Sequence, residues 1–231
     1  MDFVIERGNI IHCDTDAIVL PANKYLQEGT GASGAIFSAA GRKKLTEACR
    51  QIGECEIGMA VPTSAYKLKS EYIIHAVVPS WIDGEHNEYE LLSSAYFAAL
   101  NVADVMKCES IAFPLLSAGN NGFDKNLALK IAVESINSFH GDYLQIVKII
   151  VFDEEMAVFV KAQGFDVTDH IKLSQIERNE KINRAKQAVK EKADDLLKRG
   201  LEYIKDEDNQ RKLIQLGIKL ADLYVKNKGK K

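Results

Sequence analysis

The chain has 231 residues, 46% of them hydrophobic and 27% charged, with a formal net charge of −3. That length and balance fit one well-buried α/β domain plus an appendage, or two small domains, and exclude a low-complexity chain. No apolar run approaches the ~18 residues of a membrane span, and residues 1–7 are neither a signal peptide nor a basic transit sequence, so a cytoplasmic protein with no membrane partner is expected.

Taken in order, Phe3 to Glu6 reads as a first strand and Gly8-Asn9-Ile10 as the turn out of it. Asp16 to Leu20 is a second strand, apolar enough to be buried on both faces of a sheet covered by helices. Pro21 ends that run, and a glycine-rich loop, Gly29-Thr-Gly-Ala-Ser-Gly34, opens a helix. Apolar residues at near-helical spacing continue it from Gly34 to Gln51, and Gly53 stops it. Met59 to Pro62 and Tyr72 to Val78 are further strands, with Thr63 to Glu71 as a polar connection.

Glu88 to Lys107 is an amphipathic helix, Ser110 to Leu115 a buried strand, and Ser117-Ala-Gly-Asn-Asn-Gly-Phe123 a second glycine loop. Asp124 is placed to N-cap a helix from Lys125 to Phe139. A strand from Ile146 to Phe152 and a helix from Glu154 to Gln163 follow. This alternation predicts a three-layer α/β/α domain with a mixed, mostly parallel sheet over residues 1–168.

From Lys172 the character changes. Residues 1–171 carry a net charge of −10 and residues 172–231 one of +7, and leucine-rich stripes on both sides of Asp206-Glu-Asp-Asn209 predict a helical hairpin. The basic, striped tail is a candidate arm for a protein partner, for self-association or for an acidic polymer; a solvated helical face is the plainer alternative.

Both glycine loops follow the carboxyl ends of predicted strands, the edge at which open α/β sheets bind ligands. Glycines there let main-chain N–H groups reach an anion, and a helix N-terminus adds its dipole. Gly29, Gly31 and Gly34 also satisfy a bare G-x-G-x-x-G, but the dinucleotide fingerprint runs from strand directly into the first glycine, whereas here the eight residues Pro21 to Glu28 intervene. The four cysteines, Cys13, Cys49, Cys55 and Cys108, form no C-x-x-C pair, and the histidines show no ligand spacing, so neither a metal nor a cofactor is expected. His75, set in an apolar strand, reads as a hydrogen-bonded core residue.

The segments Val19-Leu-Pro-Ala-Asn23, Gly34-Ala-Ile-Phe-Ser-Ala-Ala-Gly41, Tyr72-Ile-Ile-His-Ala-Val-Val-Pro79 and Ser110-Ile-Ala-Phe-Pro-Leu-Leu-Ser-Ala-Gly-Asn-Asn-Gly-Phe123, with Gly8-Asn9-Ile10 upstream, together resemble the macro domain, an ADP-ribose-binding module. The resemblance implies a ligand, ADP-ribose or an ADP-ribosylated or O-acetylated relative, in a cleft of Asn9, Ile10, Asn23, Gly29, Thr30, Gly31, Ala32, Ser33, Ser117, Ala118, Gly119, Asn120, Gly122 and Phe123. It implies that Asn9 accepts from the adenine, where the family usually has an Asp, that Asn23 holds the distal ribose, and that Phe123 flanks it. Without the resemblance, Asn23 also reads as a strand-end residue bonding its own backbone, and Phe123 as core.

For catalysis the resemblance is divided. Asn23 and Ser33 are the candidate catalytic residues of an ester hydrolase or O-acetyl-ADP-ribose deacetylase. Yet Ser33 and Phe37 stand where a hydrolase branch has Asp and His, Leu20-Pro21 replace the start of its Asn-Ala-Ala-Asn, and Glu28 and Thr30 interrupt its glycine run. A serine without a partner is no general base at neutral pH, which favours a reader that binds without turnover.

Overall fold

The structure, a computed structural model, describes residues 1–169. The expectations for the basic tail lie outside the described residues. Seven strands, β1 (Asp2–Arg7), β2 (Ala17–Ala22), β3 (Ala60–Ser64), β4 (Tyr72–Val77), β5 (Ser110–Pro114), β6 (Ile146–Val151) and β7 (Val167–Asp169), form one sheet in the order β3-β4-β2-β5-β6-β1-β7. Only β3 runs antiparallel, at one edge. Five helices cover the sheet: α1 (Ala32–Ala40), α2 (Arg42–Ile52), α3 (Glu88–Val105), α4 (Lys125–Ser138) and α5 (Glu154–Ala162).

Alternation along the strands sorts side chains into two cores. Ile18 and Leu20 of β2 point into the layer under α1 and α2, with Ile36, Phe37 and Leu45. Ala17 and Val19 point the other way, into the layer under α3 and α4, with Leu92, Tyr96, Phe113 and Leu129. This is the three-layer arrangement expected, and β2, whose apolar run is buried on both faces, is an interior strand.

Three expectations need correction. The single helix from Gly34 to Gln51 is two, α1 and α2, because Gly41 adopts φ 104°, closing α1 and opening α2. The strand expected to end at Leu20 continues through Pro21 to Ala22, paired with Ala76 and Val77 of β4. The three-residue β7, beside β1, was not expected at all.

Pro21 explains the most important irregularity of the sheet. The carbonyl of Ala22 accepts from Val78 on the β4 side, so by alternation the main-chain groups of Ala17, Val19 and Pro21 face β5. Pairing between β2 and β5 covers only Ala17 with Ile111 and Ile18 with Ala112. Continuing that register, the next two rungs would need N–H donors from Pro114 and Pro21, and a proline has none. The two strands therefore part, and the sheet forks at its carboxyl edge.

Candidate ligand-binding site

The fork opens into a cleft of about 390 Å³, with Pro21, Ala22 and Asn23 from β2 and its exit on one side and Pro114 and Leu115 from β5 on the other. Gly29 to Ser33 and Ser117 to Asn121, excepting Ala118, complete its walls with Val78 and Ser80. A second depression runs along the outside of α2, lined by Lys43, Lys44, Glu47 and Tyr66, with no glycine loop beside it.

The first glycine loop is held by its own residues. Gly31 sits at φ 59°, ψ −130°, a conformation open to glycine alone, and no side chain caps α1 behind it. The first N–H groups of α1 are thus left for an anion. Gly34 allows the helix to pass under the loop: a Cβ there would lie 2.9 Å from the Gly29 carbonyl oxygen. Ser33, buried, accepts the Gly29 N–H on its Oγ at 3.1 Å. Glu28 does not face the cleft as an unpaired charge. Arg42 donates to both its oxygens, at 2.6 and 2.8 Å, which holds the carboxyl below its ordinary range.

The second loop is anchored from below. Leu116 donates its N–H to the fully buried Tyr96 hydroxyl at 3.0 Å. Ser117, at φ 60°, donates its hydroxyl to the Pro79 carbonyl at 3.1 Å. A non-glycine residue in that region is a strained turn over-determined by its neighbours. Across the mouth, Asn120 Nδ2 donates to Thr30 Oγ1 at 2.6 Å, joining the two loops.

Asn23 is committed locally. Its Oδ1 accepts from Tyr25 and Gln27, both at 3.1 Å, and its Nδ2 donates to the Gln27 carbonyl at 2.9 Å. These bonds fold the turn that inserts Leu26 into the core, and they leave one amide hydrogen uncommitted. Ser33 has no carboxylate or imidazole among its hydrogen-bond partners.

Of the expected site residues, Asn23, Gly29 to Ser33, Ser117, Gly119 and Asn120 are brought together on the cleft wall. Asn9, Ile10, Ala118, Gly122 and Phe123 are not. Asn9 caps a short turn, accepting from Ile11 at 3.3 Å, and Ile10 is buried. Phe123 is 4% exposed and packs edge-on against Trp81, with ring centroids 5.2 Å apart, so its position behind the loop is that of a core residue.

Ala22, Val78, Ser80, Pro114, Leu115 and Asn121 also line the cleft, beyond the residues the sequence marks, and Pro21 joins them. The strand expected from Ile146 to Phe152 takes in Phe152, yet this residue lies one past β6 and is 71% exposed. The Gly8 N–H bonds the Val151 carbonyl at 3.0 Å, which sets Phe152 beside the Gly8-Asn9 turn on the same sheet edge as the loops. An aromatic placed just beyond a central strand was the available signal.

His75 is fully buried, 2.9 Å from Thr63 Oγ1, and burial pushes its imidazole down to about 4. The cysteines are buried free thiols. Burial pushes Cys13 up to about 12 and Cys49 and Cys108 to about 11, which keeps them protonated. Asp83, His86 and Glu88 are the one grouping of metal-ligand types among the described residues, but both Glu88 oxygens already accept main-chain N–H groups. Among the described residues, no helix is long and apolar enough to cross a membrane.

Residues 19–132 match the family model for the Macro domain. A macro domain-containing protein of Listeria monocytogenes is 41% identical over 162 residues, covering 67% of this chain and 92% of that protein. An O-acetyl-ADP-ribose deacetylase of Citrobacter rodentium is 46% identical over 137 residues, covering 58% of this chain and 77% of the enzyme. A point variant of the Oceanobacillus iheyensis macrodomain, solved with ADPR, is similar with a TM-score of 0.64 at 33% identity, over 68% of this chain and 89% of that one. The chain belongs to the macro domain family.

Proposed function

We propose that this protein binds ADP-ribose, free or attached to protein, with the diphosphate held between the two glycine loops. The observation that carries the reading is the uncapped N-terminus of α1, opened by Gly31 and Gly34, facing a second main-chain loop across a forked sheet. Asn9 and Phe152, at the ends of neighbouring β1 and β6, offer an acceptor and a ring for the adenine. Asn23, with one amide hydrogen uncommitted, reaches the distal ribose as a donor. Calorimetry with ADP-ribose tests this. Wild type is expected to bind and Gly31→Glu to lose binding, because it sets a carboxylate and a strained φ where the phosphates lie. No heat with wild type, or equal affinity in the variant, removes the reading.

A second reading, hydrolysis of O-acetyl-ADP-ribose to acetate and ADP-ribose, is favoured by the identity to the Citrobacter deacetylase. Loop N–H groups stabilising charge on the ester carbonyl and a water positioned near Asn23 are what this chain offers such a step. The occupied Ser33 hydroxyl and the locally bonded Asn23 weigh toward a reader. Acetate release from O-acetyl-ADP-ribose, compared between wild type and Asn23→Ala, separates the two. Turnover that collapses in the variant makes the protein an enzyme, whereas background release alongside ADP-ribose binding makes it a reader.

A further inference from the structure

We propose that Glu88 is a positioning residue for the second glycine loop, acting through the single tryptophan, Trp81. Glu88 begins α3 and is 1% exposed, yet among the described residues no cation pairs with its carboxylate. Its Oε1 accepts the N–H groups of Ile82, Asp83 and Gly84 at 3.1, 3.1 and 3.0 Å, and its Oε2 accepts that of His86 at 2.7 Å. Burial alone would push this carboxyl up, but the N–H bonds outweigh burial and hold it down at about 2. A helix cap needs one or two such bonds; four converging on one carboxylate fix a whole loop.

That loop is wrapped on Trp81. Gly84 turns at φ 91° against the indole, where a Cβ would lie 2.9 Å from the ring. On its other side Trp81 meets the second glycine loop: its N–H donates to the Asn121 carbonyl at 2.7 Å, and its ring packs against Phe123. Neighbouring Ser80 donates to Asn121 Oδ1 at 3.4 Å, and Pro79 accepts from Ser117. Every main-chain or side-chain bond from residues 79–81 to this loop thus lands on residues that line the cleft. The arrangement explains how a loop with a strained Ser117 and two glycines keeps one shape: it is braced from behind by a segment that Glu88 clamps.

The inference rests on the ADP-ribose reading for its affinity readout, and the experiment is arranged so that the two fail separately. Glu88→Gln in the full chain places an NH2 where one carboxylate oxygen accepted, so one or more of the four bonds is lost. Trp81 fluorescence with acrylamide quenching, amide hydrogen exchange at residues 117–122 and ADP-ribose affinity are compared with wild type. Expected are greater quenching, faster exchange in the second glycine loop but not in the middle of α3, and affinity weakened about tenfold. A lower melting temperature with unchanged exchange in the second glycine loop and unchanged affinity makes Glu88 an anchor of residues 82–86 only and overturns the proposal. Should Glu88→Gln fail to fold, Gly84→Ala disturbs the same brace from the indole side and must give the same loop signature. If wild type shows no ADP-ribose heat, the ligand reading fails, while quenching and exchange still decide whether Glu88 holds the loop.

Discussion

Asn120 donates its side-chain amide to the Thr30 hydroxyl at 2.6 Å, so two loops ninety residues apart are joined across the mouth of the cleft. A ligand that seats its diphosphate between them has to part this bond on the way in and again on the way out. Thr30→Val keeps the side-chain shape and removes the acceptor. With a hydrogen bond worth about 1 kcal/mol, stopped-flow measurements should find association and dissociation of ADP-ribose both faster by up to about fivefold, with little change in affinity. Rates equal to wild type would mean that the bond exerts no control.

Two glycines of the same site predict opposite outcomes. Gly34→Ala forces a Cβ to 2.9 Å from the Gly29 carbonyl, which should destabilise the fold by about 1–3 kcal/mol and weaken ADP-ribose by displacing the first loop. Gly119→Ala meets nothing within 4 Å, so its stability should stay within about 0.5 kcal/mol of wild type, and any loss of affinity reports the ligand itself. Denaturant melts beside calorimetry read both quantities.

His75 makes stability depend on acid. Its imidazole titrates near 6.5 in the unfolded chain and at about 4 in the fold, so between those values the unfolded chain holds more protons. Stability should therefore be full above pH 6.5, fall as the pH drops from 6.5 toward 4, and stop falling on this account below that. The integrated loss is about 3 kcal/mol. His75→Gln removes the titration, and its urea midpoint should lack this component across the window. A wild-type slope no steeper than the variant's would contradict the assignment.

Phe152 is exposed to the extent that its removal should leave stability unchanged. Phe152→Ala is expected to weaken ADP-ribose and AMP by similar factors, about tenfold for a lost base–ring stack, while ribose 5-phosphate binds as before. Equal loss for all three ligands, or none for AMP, would remove Phe152 from the adenine end.

Much of this was legible in the sequence because it is written in local chemistry. β-branched runs marked β2, β4 and β6, Asp124 caps α4 by accepting from Asn126 and Leu127, and glycines marked both loops. What escaped depends on partners distant in the chain. Gly41 costs a helical pattern about 1 kcal/mol, which a long pattern tolerates, and only its φ of 104° shows that it ends one helix and begins another. Pro21 reads as a strand terminator unless the strand beside it is known to have turned away. For Phe123 and Asn23 the sequence holds two readings each, and the fold adds to them the Trp81 contact and the bonds of Asn23 to its own turn. Glu88 looked like an ordinary acidic residue at a helix start, and nothing local foretells four donors converging on it.

Two of the chain's four prolines stand at the fork, one on each strand. Besides opening the sheet, they set the polarity of its floor. With the Pro21 and Pro114 donors missing, two main-chain hydrogens are absent from the fork and the carbonyls they would have met are left without them, while the loops above offer hydrogens. Hydroxyl groups are accepted at such a floor, whereas phosphate oxygens are repelled from it toward the loops. Two hydrogens the chain does not have thus keep an anion off the sheet and send it to the loops.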